Sequence, residues 1–378
     1  MSPGAHDDDY LPFWEREFNL KDYKPGVWAH LPEEEKDLWV EEVFQYYRHT
    51  YGFPYPMVDE ARVRTHLNRL RSLSSDSLDA GGRRIRWNGS GLVLSSHFFP
   101  HIWEVAVRKM DSPDPTDLRA TAMDLFQDDA RLRTVIRSCL TRAPGVLPNH
   151  LLDMMQISFG RSSTPVGVAA RFKPATAKFI WERYAPEGGT VYDYSCGWGG
   201  RMLGALSSKK GLTYVGVEPN SKTYQCLEDL RVVAERHYGP PGKAEVHQCG
   251  SEDFLPPDLV GQVDVAFSSP PYFDYEDYSR EGSQSHVRYP SVNRWLSEYM
   301  YKTVDNCFRL LKSGGYYAIN AKDTPHHSYV GHILRFAEGL GLKPYDTWQM
   351  EMMKRRGDDA QMAGGSYSFE PIYVFKKP

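Results

Sequence analysis

The tetrapeptide Ser269-Pro270-Pro271-Tyr272 follows the apolar run Val263–Ser268 with no residue between them. Two consecutive prolines donate no backbone hydrogen bond, and each fixes its φ angle. A strand that reaches them must stop, and its last carbonyls are left unpaired and aimed outward. A hydroxyl before the prolines and a phenol ring after them put hydrogen-bond acceptors beside a flat stacking surface. That combination suits the capture of a planar amine. A strand that simply ends in a proline turn would carry the same residues, so the rest of the chain has to decide.

A second group lies upstream. Asp193-Tyr194-Ser195-Cys196-Gly197-Trp198-Gly199-Gly200-Arg201 follows the strand signal Thr190-Val191-Tyr192 and opens a helical stretch. The small residues Ser195, Cys196, Gly197 and Gly199 let a ligand lie against the backbone. The helix behind the loop offers free amides at its N-terminus. A pyrophosphate-binding loop would read G-x-G-x-x-G. Here an aspartate precedes the loop, which suits a ligand carrying an ammonium group. Glu218 ends the next strand signal, 25 residues after Asp193, and a carboxylate there can accept both hydroxyls of a ribose. Gly250-Ser251-Glu252-Asp253 ends a third strand signal, where the edge of an adenine ring would lie.

In this order, Asp193 to Arg201, Glu218, Gly250–Asp253 and Ser269–Tyr272 resemble motifs I, II, III and IV of S-adenosylmethionine-dependent amino-methyltransferases. Phe172-Lys173-Pro174 resembles their motif X, which closes over the methionine part of the cofactor. The ending Phe369-Glu370-Pro371-Ile372-Tyr373-Val374-Phe375 is similar to the terminal strand of site-specific DNA methylases with the Ser-Pro-Pro-Tyr signature. The resemblance covers residues 155–378. Gly91-Leu92 through Phe99-Pro100, with Trp103-Glu104, is broadly similar to leaders of phage-type DNA methylases. The resemblance implies Ser269, Pro270, Pro271 and Tyr272 as the catalytic group. It implies Phe172, Lys173, Pro174, Asp193, Ser195, Cys196, Gly197, Gly199, Glu218, Pro219, Ser251, Glu252 and Ser269 as the contacts to S-adenosylmethionine and its product S-adenosylhomocysteine.

The chemistry so implied is an in-line displacement at a sulfonium, for which a protein aligns the partners and excludes water. The exocyclic amine of cytosine or adenine is a poor nucleophile, because its lone pair is delocalised into the ring. Holding its hydrogens on Ser269 and on the Pro270 carbonyl would free that lone pair through hydrogen bonds that strengthen toward the transition state. Tyr272 would stack on the ring, and the resembling DNA enzymes extrude the base from the duplex. Serine, rather than Asp or Asn, before Pro-Pro-Tyr resembles the cytosine amino-methylases more than the adenine ones, which implies cytosine N4 over adenine N6.

DNA is therefore the expected substrate. The alternative is alkyl transfer or cyclisation on a small amine, nucleotide or peptide. Phe273, Asp274, Tyr275, Tyr278 and Arg288 belong to a loop expected to cover the substrate. Its acidity is awkward for a phosphate surface and suits an amine-bearing small substrate better. Arg83–Trp87 and Lys354–Arg356 are the obvious basic candidates for phosphate contact. His326-His327 lacks a third ligand at a helpful spacing, so no metal is expected.

The elements that must hold these groups alternate between strand and helix from about residue 150. Strand signals at 190–192, 212–217, 244–248, 263–267, 316–320 and 372–375 are interleaved with helical stretches at 200–206, 221–238 and 295–311. This predicts an α/β fold, a Rossmann-like doubly wound and mainly parallel sheet, and the resemblance makes it seven-stranded. Residues 1–150 read as a mostly helical N-terminal domain, a candidate for substrate recognition or dimerisation, and residues 151–378 as the catalytic domain. The composition, 41% hydrophobic and 25% charged, is that of a globular protein. A formal charge of −4 supplies no global field toward nucleic acid. The five cysteines form no CxxC pair, which argues against a disulfide framework or zinc site. The acidic N-terminus has no apolar core for a signal peptide, so a cytoplasmic protein without a membrane span is expected.

Overall fold

The computed structural model describes residues 18–107, 118–142, 145–158, 171–279, 281–324, 326–353 and 367–378. The basic cluster Lys354–Arg356 lies outside the described residues. The chain divides into two compact units, residues 1–56 with 119–168 and residues 57–118 with 169–378. The boundary expected near residue 150 therefore differs from the one found. Residues 57–118 join the sheet-bearing unit, because their helix and short strand have their partners there.

The regular elements among the described residues of the first unit are all helices. Helices Glu33–Tyr46, Asp129–Arg142 and Pro148–Ser158 bury Val43, Phe44, Leu132, Val135, Ile136 and Leu151. The Tyr47 hydroxyl donates to the Val146 carbonyl at 2.6 Å, tying the two stretches of the unit together.

The described residues of the second unit form ten strands: β1 (Arg84–Ile85), β2 (Ala106–Val107), β3 (Thr190–Asp193), β4 (Thr213–Val217), β5 (Lys243–His247), β6 (Val263–Ser268), β7 (Glu276–Asp277), β8 (Leu311–Asn320), β9 (Lys343–Met353) and β10 (Tyr367–Lys376). Eight of them form one sheet in the order β1-β9-β10-β8-β6-β3-β4-β5, while β2 and β7 pair separately. With β10 and β1 set aside, this is the doubly wound order 3-2-1-4-5-6. β10 runs antiparallel between β8 and β9, and β1 adds an eighth strand parallel to β9. The Rossmann-like sheet is thus present, with eight strands rather than seven. The central strands are covered on both faces, which is why they read as continuous apolar runs. Val304, Cys307, Leu310, Ile333 and Ala337, from helices Tyr301–Leu310 and Val330–Gly339, share one core with Tyr192, Val215, Val217 and Tyr317.

The segment 57–118 is also fastened through a buried lysine. Lys178, on helix Pro174–Tyr184, is 1% exposed and donates to the carbonyls of Leu70, Arg71 and Leu73 at 3.0, 3.0 and 2.8 Å. These carbonyls close the end of helix Glu60–Ser72, where no backbone donor remains for them. Lys178→Met is expected to cost about 2–3 kcal/mol, because it removes the donor and leaves the acceptors buried. A lowered urea midpoint with an unchanged denaturant slope would show it; an unchanged midpoint would refute the role.

Candidate active site

The chain order reverses between β3 and β6, which lie side by side. Open α/β sheets bind ligands in the crevice outside the carboxyl ends of strands at that switch point. Asp193 closes β3 and Ser268 closes β6, and the Ser268 hydroxyl donates to Asp193 Oδ1 at 2.7 Å. A cleft opens above them. Its lining includes Phe172, Lys173, Ser195, Cys196, Gly197, Glu218, Pro219, Ser251 and Glu252 from the expected cofactor contacts. It also includes all of Ser269, Pro270, Pro271 and Tyr272, with Tyr278 from the expected substrate loop.

Asp193, Gly199 and Pro174, also expected as cofactor contacts, are not among the lining residues. Asp193 is fully buried, and its carboxylate is already taken. Arg201 Nε donates to its two oxygens at 3.0 and 2.9 Å, the Tyr214 hydroxyl at 2.7 Å and the Ser195 amide at 3.2 Å. An ammonium group of a ligand finds no free oxygen there, so Asp193 acts as the anchor of the loop. Arg201 also donates to the Ser195 carbonyl and lies 5.1 Å from the Phe172 ring centroid. Gly199 has a φ of +69°, and a Cβ on it would meet Leu230 Cδ2 at 2.6 Å. Both its conformation and its close approach require glycine. The loop rests on residues 91–104: Ser95 Oγ donates to the Trp198 carbonyl at 2.9 Å, and Phe99 and His101 pack edge-on to the Trp198 ring.

Glu218 sits just past β4. Gly197 N donates to its Oε2 and Asn220 N to its Oε1, each at 3.0 Å. Burial pushes its carboxyl up to about 7, against the pull of these two donors. Each oxygen keeps acceptor capacity toward the cleft. Glu252, past β5, has one oxygen paired with Arg288 Nη1 at 2.5 Å and the Tyr289 hydroxyl at 3.1 Å. Its other oxygen is buried with no partner among the described residues. Burial raises its pKa as well.

At the Pro-Pro corner, Tyr272 is 9% exposed and borders the cleft. The chain leaves it through Phe273 at a φ of +50°, left-handed backbone that a phenylalanine rarely adopts. Phe273 packs edge-on to Trp295 and His327 at centroid distances of 5.7 and 5.1 Å, so it is core rather than substrate surface. Asp274 pairs with His327 at 3.5 Å, and neither Asp274 nor Tyr275 lines the cleft. Arg288 is a latch, reaching Glu252 and, at 3.1 Å, Asp253. The loop is also tied to helix Ser221–Tyr238, where Ser221 N and Oγ donate to Glu281 at 3.1 and 2.5 Å. Glu276, Tyr299, Asn320, Met350, Met352 and Glu370 line the cleft as well, and none of them is among the site residues expected from the sequence. Among the described residues no cluster of His, Cys, Asp and Glu could hold a metal ion.

Fold and cleft together define a Rossmann-like α/β protein whose ligand crevice lies at the β3/β6 switch point. No family model matches the chain, and no curated protein does. Solved structures do. A TehB-like S-adenosylmethionine-dependent methyltransferase from Corynebacterium glutamicum aligns over 56% of this chain and 90% of its own, with 16% identity and a TM-score of 0.33. Geranyl diphosphate C-methyltransferase from Streptomyces coelicolor A3(2), solved with Mg2+, geranyl diphosphate and S-adenosylhomocysteine, aligns over 54% and 80%, at 15% identity and 0.34. The [4+2]-cyclase SpnF aligns over 56% and 84%, at 12% identity and 0.37.

Proposed function

We propose that the protein transfers a methyl group from S-adenosylmethionine to an exocyclic amine of a base in DNA, with cytosine N4 favoured over adenine N6. One observation carries this reading. The Ser269–Tyr272 corner opens into the same cleft as Phe172, Gly197, Glu218 and Glu252.

The residues fit the cofactor. Glu218 holds two acceptor oxygens in place for ribose hydroxyls, and the unpartnered oxygen of Glu252 suits an adenine amine. Bound there, the sulfonium supplies an activated methyl group. The protein's own share is positioning. Ser269 and the Pro270 carbonyl take the amine hydrogens, Tyr272 stacks on the ring, and the latched loop keeps water out. The proton leaves to solvent after transfer, so no strong base is required.

Incubation with labelled S-adenosylmethionine and unmodified genomic DNA, followed by nucleoside mass spectrometry, tests the reading. N4-methylcytosine is the expected product. Absence of label from every DNA, with transfer to a small amine, would replace the reading with the small-substrate one. Glu276, a buried carboxylate lining the cleft, is the observation that favours that second reading.

A pH dependence follows from Glu218. Its ionised form accepts the ribose hydroxyls, so cofactor affinity is expected to rise as pH passes upward through about 7. The same raised pKa makes the ligand-free protein lose stability between pH 4.5 and about 7, since the unfolded chain releases that proton first. Calorimetric titration at pH 6 and pH 8 checks the first effect. Glu218→Gln should weaken binding by about tenfold and flatten the profile; an unchanged Kd would count against the ribose role.

A further inference from the structure

Lys173, which the resemblance places among the cofactor contacts, is a buried cation of the cleft that the hydrogen-bonding scheme above does not use. Lys173 is 5% exposed and lines the cleft. Among the described residues its ammonium meets one partner, the thioether sulfur of Met352 at 2.7 Å. A thioether is a weak acceptor and offsets little of the cost of burying an ammonium. Glu370, the carboxylate whose charge bears on it, forms its ion pair with Lys322. Desolvation pushes the Lys173 pKa down to about 8, with Lys322 adding to the fall and Glu370 opposing it. Lys173 is also the N-cap of the eleven-residue helix Pro174–Tyr184 and makes no side-chain cap. The positive end of that helix therefore adds to the field of the ammonium.

Position along the sheet says which ligand the cation faces. Glu218 and Glu252 follow β4 and β5, on one side of β6. Met352 lies on β9, Glu370 on β10 and Asn320 at the end of β8, all on the other side. The Ser269–Tyr272 corner follows β6, between the two halves. The cation thus stands across the transfer corner from the groups assigned to ribose and adenine, on the side of Asn320, Met352 and Glu370.

We propose that Lys173 binds a phosphate of the acceptor, the one attached to the nucleoside whose amine is held at Ser269–Tyr272. This rests on the amine-methylation reading and narrows it, since the acceptor then carries an anion beside its planar amine. It also assigns the acidic loop to latching through Glu281 and to the Asp274–His327 pair, rather than to attracting a cationic substrate.

Calorimetry on the full chain tests this with deoxycytidine 5′-monophosphate, deoxycytidine, S-adenosylhomocysteine and methylthioadenosine, which lacks the amino-acid end. Lys173→Met is expected to weaken the monophosphate by about tenfold and leave the nucleoside within about twofold. Lys173→Arg should restore most of the loss, which a purely structural role would not produce. The proposal falls if the wild type binds the monophosphate no better than the nucleoside, or if Lys173→Met leaves that difference intact. It falls equally if the loss appears with S-adenosylhomocysteine and not with methylthioadenosine, because the cation would then serve the cofactor carboxylate. These are binding readouts, so they stand apart from the nucleoside mass spectrometry that tests methylation of DNA.

Discussion

Tyr272→Ala is expected to cut turnover by about 100-fold while leaving the cofactor Kd within about threefold. The expectation comes from the division of the cleft. The groups assigned to the cofactor, Glu218 and Glu252, have their hydrogen-bond partners at Gly197, Asn220, Arg288 and Tyr289, none of which belongs to the transfer corner. Tyr272 offers a ring to the acceptor instead, and base–aromatic stacking is worth about 1–3 kcal/mol. Without that ring the amine also loses its alignment with the methyl group, which lowers the rate further. Tyr272→Phe keeps the ring and should retain turnover within about threefold. Pro270→Ala restores a backbone N–H and frees φ, loosening the carbonyl that holds the amine, and should follow Tyr272→Ala in direction. Stopped-flow or radiolabel kinetics beside calorimetric cofactor titration separates the two effects. Equal losses of turnover and cofactor affinity would remove the assigned role of the corner.

Local pattern made part of this arrangement legible. The runs at Thr190, Thr213 and Val263 are short and apolar, and Lys243–His247 alternates exposed and buried residues, so the strands and their order in the chain can be read directly. Helix Ser221–Tyr238 has its Asn220 cap and apolar stripe in plain view. β9 was not legible. Lys343–Met353 mixes Asp, Thr, Gln and Glu with its apolar residues, and its place is set by pairing with β10 and β1, from distant parts of the chain. The same cause hid Asn320, Met350, Met352 and Glu370. Each faces the cleft because the sheet brings strand ends together, and no spacing along the chain encodes that. Phe273 looked like substrate surface next to Tyr272, but its positive φ turns it into the core.

Asp193 shows the same limit at a single residue, and it leads to the largest stability effect expected here. An aspartate before a glycine loop suggests a ligand contact. Its carboxylate is instead enclosed by Arg201, Tyr214, Ser268 and the Ser195 amide. Both members of the ion pair are buried, with side chains 4% and 0% exposed. Removing one partner from such a pair leaves an uncompensated charge in a low-dielectric interior, at a cost of about 3–5 kcal/mol. Arg201→Met is therefore expected to lower stability by that amount and to loosen the loop, because the Ser195 carbonyl loses its guanidinium donor as well. Adding Asp193→Asn to Arg201→Met should recover part of the loss, since the amide carries no charge and can still accept from Tyr214 and Ser268. Urea titration of the two single variants and the double variant measures the coupling. If the double variant is as unstable as the sum of the singles, Asp193 is not held as an ion there, and its assignment as the anchor of the loop is wrong.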